Sequence, residues 1–208
     1  VDEFSFREWF VSPGVTQLRG PVGIGLTTIL RDLVLSWSQG SAWILSPSSQ
    51  NVKSIELETL ISNSVGVVRY QTLEEISQVA KEIVKTCKDN ERSLVTVDDL
   101  PGFGLKDTSL VGGKAQVWTR ILNTLTATKC TVVLTGVPRA VMSTKHLSLG
   151  PRVLDFRSDA IIDLDEIARN TDGVIVEATA TKHKRLAPGR SFGRLWIRPE
   201  HETPVCLT

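Results

Sequence analysis

Two hydrophobic periods take turns along this chain. From about residue 14, short runs of apolar and β-branched residues read as strands, and longer stretches with apolar residues every three or four positions read as helices. Residues 14–18 predict a first strand, and a glycine-rich turn leads into a helix running from Thr27 to Leu35. Ala42-Trp43-Ile44-Leu45 predicts a second, buried strand that ends in a Ser/Pro/Asn turn. Residues 54–61 predict a short helix and 65–69 a strand. Thr72 opens a long amphipathic helix, with Glu75 at the capping-box position and Leu73, Ile76, Val79, Ala80, Ile83 and Val84 on its apolar face. Residues 93–98 then predict a strand, 101–113 a Gly-rich loop, 114–126 a helix, and 131–135 a near-continuous apolar strand. After Gly150 the texture becomes strand-rich, with runs at 160–164, 174–179 and 194–197, the last two antiparallel.

Strands that are apolar throughout must be covered on both faces. The fold class predicted is therefore α/β, with a mostly parallel central sheet, helices on both faces and antiparallel strands at the C-terminal end. At 208 residues, without repeats or an evident linker, residues 14–208 predict one core domain. Residues 1–13 carry Phe4, Phe6, Trp9 and Phe10 ahead of the first strand. That segment suits docking on a neighbouring subunit, and it equally suits capping this subunit's own core. The remaining tryptophans, Trp37, Trp43, Trp118 and Trp196, mostly fall in apolar runs and suit the core.

A hydrophobic content of 41% with 23% charged residues excludes a disordered chain. No apolar run reaches membrane-span length, and the start is neither basic nor apolar enough for a signal peptide. Val1 in place of an initiator Met is what a chain trimmed at its start would show. Cys87, Cys130 and Cys206 are odd in number, scattered and without metal spacing, as expected of reduced thiols in a cytoplasmic or nuclear protein. Neither His146 nor His183 has a metal-ligand pattern beside it. The net charge is only +1, yet Lys182, Lys184, Arg185, Arg190, Arg194 and Arg198 follow one another with no acid between them. Such a run makes either a face for phosphates or a solvated basic edge.

The sharpest motif is Arg19 to Thr28, R-G-P-V-G-I-G-L-T-T. Gly20, Gly25 and Thr27 meet the phosphate-loop pattern G-x-x-x-x-G-K-[ST], but Leu26 stands where the lysine belongs. Glycines let backbone N–H groups turn around phosphates, and the lysine brings positive charge to the outer ones. Gly20, Gly23, Gly25, Thr27 and Thr28 are thus candidate nucleotide contacts on a degenerate loop; the plain alternative is a tight strand-to-helix turn. Residues 94–98 end in Asp98, an acid at the carboxyl edge of the sheet. There it can hold Mg²⁺ together with the Thr27 hydroxyl, or simply begin the turn into Pro101-Gly102.

From Gly14 to Ile197 the chain resembles the RecA-like recombinases and their KaiC-type relatives, a P-loop NTPase core. The resemblance rests on Gly20-Pro21-Val22-Gly23-Ile24-Gly25-Leu26-Thr27-Thr28, on Leu94 to Asp98, and on Lys182-His183-Lys184-Arg185-Leu186-Ala187-Pro188. It implies ATP and Mg²⁺ as cofactors. It also implies that Lys182 and Lys184, with Arg185 beside them, reach a neighbouring subunit's γ-phosphate. Two lysines at i and i+2 on a strand share a face, so the spacing suits such a role. The resemblance further implies DNA-gripping loops at residues 101–113 and 138–151, the second carrying Arg139, Lys145 and His146 with Arg152 just after it; plain surface loops are the alternative. Phe103 is their only aromatic, so base stacking contributes little.

Departures from the family pattern bear on activity. Beyond Leu26, the stretch Leu45-Ser46-Pro47-Ser48-Ser49 holds no water-orienting acid, and Gly136 or Val137 replaces a coupling glutamine. Charge stabilisation and nucleophile positioning are lost together. The sequence therefore predicts negligible ATPase activity, with nucleotide binding weak or absent. The expected function is that of a non-catalytic RecA-family paralog assisting homologous recombination and DNA repair. It would bind a RecA-like recombinase or paralog subunit in a homo- or hetero-oligomer, with single-stranded DNA as a further partner and no membrane. The alternatives are an ImuA-like translesion-synthesis accessory, an atypical KaiC-like ATPase or signalling protein using Arg19 or a neighbour's Lys182, and an Elongator-type RNA-binding ring subunit. If the loop grips nucleic acid, single-strand binding weakens steeply with salt and is lost on charge reversal at Arg139, Lys145 and Arg152, as read by fluorescence anisotropy.

Overall fold

The computed structural model describes residues 9–10, 13–47, 65–87, 92–98, 113–136, 149–198 and 205–207. The helix expected at 54–61, and the loops at 101–112 and 138–148, lie outside the described residues.

One nine-stranded sheet organises the chain, in the order β3-β2-β4-β5-β1-β6-β7-β8-β9. Its strands are β1 (Gly14–Arg19), β2 (Ala42–Pro47), β3 (Gly66–Tyr70), β4 (Leu94–Val97), β5 (Thr131–Gly136), β6 (Ala160–Asn170), β7 (Gly173–His183), β8 (Arg190–Ile197) and β9 (Val205–Leu207). Strands β3 to β6 along that order pair in parallel, and β6 to β9 pair antiparallel. The helices are α1 (Leu26–Leu35), α2 (Leu73–Thr86), α3 (Gly113–Ala127) and α4 (Leu149–Arg157).

Central strands are apolar on both sides because both sides are covered. On β5, Val133 joins the core beside α1, while Val132 and Leu134 join the core beside α2 and α3. Leu18 and Val15 divide β1 in the same way, as Leu94 and Val95 divide β4. Helix α1 buries Ile29, Leu30, Leu33 and Val34 on one face. Helices α2, α3 and α4 cover the other with Ile76, Ala80, Ile83, Trp118, Ile121, Leu125 and Leu154. The capping box forms at α2: Thr72 Oγ1 accepts from the Glu75 N–H at 3.2 Å, and Glu75 reaches back to accept from the Gln71 N–H at 2.6 Å.

Several boundaries differ from the sequence expectation. Strands β6 and β7 run to 11 residues each: β6 continues past the core edge through exposed residues such as Glu166 and Arg169, while β7 gains its length at the other end, where Lys182 and His183 pair with Ile161 and Ala160. Helix α4 replaces the end of the expected loop, and β9 adds an edge strand. Trp9 and Phe10 are buried in this chain's own core, with the Trp9 ring centroid 5.3 Å from that of Phe192.

Helix α1 carries one unfavourable charge. Asp32 is only 12% exposed, lies 3.8 Å from the Arg31 guanidinium, and has Oδ2 buried without a hydrogen-bond partner among the described residues. Burial pushes its carboxyl from 3.8 up to about 6, against the opposing pull of Arg31. Between those two values the folded chain holds a proton that the unfolded chain has released. Stability from this group is therefore intact below the lower value and falls as pH rises through the window, by up to about 3 kcal/mol. Asp32→Asn is expected to remove that slope and to raise stability at pH 7 by about 1–2 kcal/mol, measured by urea unfolding at about pH 5 and pH 7.

Candidate functional site

The carboxyl ends of β1, β4 and β5 meet at one edge of the sheet, and there the glycine-rich loop turns into α1. Gly20 N–H donates to the Gly136 carbonyl at 3.0 Å, anchoring the loop beside β5. Ile24 closes the turn by donating to the Pro21 carbonyl at 3.2 Å, and its side chain is buried, while Val22 stands exposed at the tip. Gly25 caps α1 with φ 94°, and a Cβ there would lie 2.6 Å from Ile197 Cγ2 on β8. Only glycine fits that conformation and that close approach. The first turn of α1 carries no acid, so its outward amides present a partial positive charge.

Leu26 is partly buried against the core beside α1. The side chain at the lysine position thus packs into the protein's own apolar cluster. Thr27 is exposed on the first turn, and its hydroxyl donates to Asp98 Oδ2 at 2.8 Å. Thr135 donates to Asp98 Oδ1 at 2.7 Å, and the Tyr70 hydroxyl donates to the Asp98 carbonyl at 2.7 Å. Asp98 N–H donates to the Leu45 carbonyl at 2.9 Å. Asp98 itself is only 2% exposed. Gly20, Gly23, Gly25, Thr27, Thr28 and Asp98 are thus gathered at one edge. Ser46 and Pro47 end β2 on the same side without an acid.

The basic candidates lie elsewhere. On β7, Lys182 pairs with Ile161 and His183 with Ala160, at the amino end of β6, whereas the loop begins where Arg19 pairs with Asp163. Lys182 Nζ donates to the carbonyls of Asp155 and Phe156 at 2.9 and 3.2 Å, capping the C-terminus of α4. Lys184 lies one residue past the end of β7, not on the strand as its spacing with Lys182 suggested, and its Nζ is 3.7 Å from Asp159. Both lysines nonetheless meet the same turn between α4 and β6. Arg185 is exposed. His183 titrates below its usual value because of burial and then the Arg185 charge, against an opposing Trp9 backbone hydrogen bond.

Arg19, raised from the sequence as a surrogate for a phosphate-loop lysine, is engaged inside the sheet. It pairs with Asp163 through two N–H···O contacts of 2.7 and 3.0 Å, and reaches Asp155 at 3.5 Å. Arg152 lies within α4, not in an extended loop, because the helix already begins at Leu149. Arg139, Lys145 and His146 lie outside the described residues. Among the described residues no group of three or more His, Cys, Asp or Glu could hold a metal ion. No helix there is long and apolar enough to cross a membrane.

One cation beside the loop was missed in the sequence. Arg169 Nη2 donates to the Gly23 carbonyl at 3.2 Å while the same guanidinium pairs with Glu166 at 2.7 Å. Only the long β6–β7 hairpin brings it there, 146 positions away in sequence.

No protein-family model and no curated protein matches the chain. Among solved structures, the crystal structure of the RadB recombinase is similar, with a TM-score of 0.64 and 15% identity, over 90% of this chain and 89% of that one. The shared architecture is a RecA-like α/β core, with its mostly parallel sheet and its antiparallel C-terminal strands.

Asp98 has a structural task that needs no ligand. Asp98→Ala leaves the buried Thr135 hydroxyl and the Thr27 hydroxyl without this acceptor, and is expected to cost about 2–4 kcal/mol in nucleotide-free denaturant unfolding. Thr135→Val, which removes one of those donors, is expected to cost about 1–2 kcal/mol in the same assay.

Proposed function

We propose that this protein is a non-catalytic RecA-fold accessory factor in homologous recombination and DNA repair. It acts by binding a RecA-like recombinase or paralog subunit, with single-stranded DNA as a further partner, in the cytoplasm or nucleus. One observation carries the reading: the phosphate loop keeps its shape, but its lysine position is an apolar contact. Leu26 faces the core, and Arg19 is engaged with Asp163 and Asp155. The likeness to a recombinase of the same fold supports the recombination setting.

The remaining donors suit the family's cofactors in kind. Thr27 and Asp98 offer the hard oxygens that Mg²⁺ prefers, and the first-turn amides of α1 suit a phosphate. These residues would hold Mg-ATP, whose metal, when bound, neutralises phosphate charge. Without the lysine that hold is weak, and no acid at the end of β2 positions a water. Partner contacts then fall to surfaces. Lys182, Lys184 and Arg185 form the candidate edge toward a neighbour, and Arg139, Lys145, His146 and Arg152 form the candidate grip on single strands.

Arg169 favours a second reading, an atypical nucleotide-binding protein in which this arginine supplies the missing charge. Its guanidinium already touches the loop at Gly23. Under that reading Arg169→Ala abolishes nucleotide binding; under the first it leaves the absent turnover and partner binding unchanged.

The expected outcome is no Mg-ATP turnover above buffer, with or without single-stranded DNA, together with co-sedimentation with a RecA-like recombinase in analytical ultracentrifugation. Turnover at a rate typical of enzymes, about 1 per second or faster, sinks the accessory reading. Failure to associate with any RecA-like subunit removes its partner.

A further inference from the structure

At the opposite edge of the sheet from the phosphate loop, two thiols meet. Cys87 caps the C-terminus of α2, and Cys130 immediately precedes β5. Their sulfurs lie 3.9 Å apart although 43 positions separate them in sequence. A disulfide needs about 2.05 Å, so closing this gap takes about 2 Å of side-chain movement. Cys87 is partly exposed and Cys130 is buried. Each sulfur also has a hydroxyl beside it, Ser93 Oγ at 3.1 Å from Cys87 and Thr128 Oγ1 at 3.3 Å from Cys130.

We propose that Cys87 and Cys130 form a peroxide-responsive dithiol, a modification site separate from the phosphate loop and independent of the function proposed above. Cys87 is the residue a peroxide reaches. Its sulfur attacks one peroxide oxygen, the O–O bond breaks, and one water leaves, giving a sulfenic acid. The Cys130 sulfur then attacks the Cys87 sulfur. The S–S bond forms, the S–OH bond breaks, and the hydroxyl departs with the Cys130 proton as a second water. Two thiols have lost two electrons and two protons, and one hydrogen peroxide has become two waters. Burial lifts the Cys130 thiol to about 11, so it is not the group that first meets oxidant; its part in the second step rests on its sulfur lying 3.9 Å from that of Cys87. The bridge ties the end of α2 to the start of β5, constraining the unfolded chain over the intervening segment.

Hydrogen peroxide is added to the folded full-length chain, and free thiols are counted by mass after denaturation and alkylation. Before oxidation three thiols are expected to react, and afterwards one, Cys206. A peptide linking Cys87 to Cys130, reversed by dithiothreitol, should appear together with a melting-temperature rise on the order of 10 °C. Cys130→Ser should stop at a dimedone-trappable sulfenic acid on Cys87, and Cys87→Ser should form no bridge. Three reactive thiols remaining after peroxide, or a bridge that uses Cys206, overturns the proposal from the unaltered chain alone.

Discussion

Asp98 ties together the edge of the sheet on which the candidate site is built. Its backbone N–H binds β2, its carbonyl receives the Tyr70 hydroxyl from the end of β3, and its carboxylate receives Thr135 from β5 and Thr27 from α1. Four elements converge on one nearly buried residue. A buried carboxylate is costly unless its oxygens are satisfied, and here both oxygens receive hydroxyls. The same contacts hold the start of α1 against the ends of the parallel strands, which sets the path of the glycine loop. A residue in a position associated with metal chemistry thus serves as a structural clamp, and that role needs no nucleotide.

Charge placement explains the rest of the site. Arg19 and Lys182 sit within a polar seam joining β1, β6, β7 and α4, where Asp163, Asp155 and the last carbonyls of α4 engage them. Thr181 also donates to Asp163. Gln17 adds a 2.8 Å hydrogen bond to Ser158 in the same seam. The seam binds α4 to the sheet. The loop itself is left with backbone amides, an apolar Leu26 and an arginine borrowed from a distant hairpin.

Much of the fold was legible because burial on two faces leaves a plain signature. The apolar runs around Val95 and Val132 could only be central strands, and Thr72 with Glu75 marked the start of α2 to the residue. What was hidden has physical causes. Helix α4 contains Gly150 and Pro151 and shows little apolar periodicity, with Leu154 its one residue in the described core. The outer half of β6 is held by hairpin pairing and not by burial, so its polar residues read as loop, whereas the facing half of β7 buries Val174 and Val176 and reads as strand. The glycine loop and Asp98 were visible from spacing. Arg169 was not, because its approach to Gly23 depends on how far that hairpin extends. The internal commitments of Arg19 and Lys182 were equally invisible, since cross-strand register decides them.

The most direct test is titration of a fluorescent ATP analogue with Mg²⁺ into the wild-type chain, Leu26→Lys and Thr27→Ala. If the loop is a shaped site lacking only its charge, the wild type shows no saturable binding in the micromolar range and Leu26→Lys gains it. Tight wild-type binding that Thr27→Ala abolishes would contradict the account, and would make the loop a working nucleotide site.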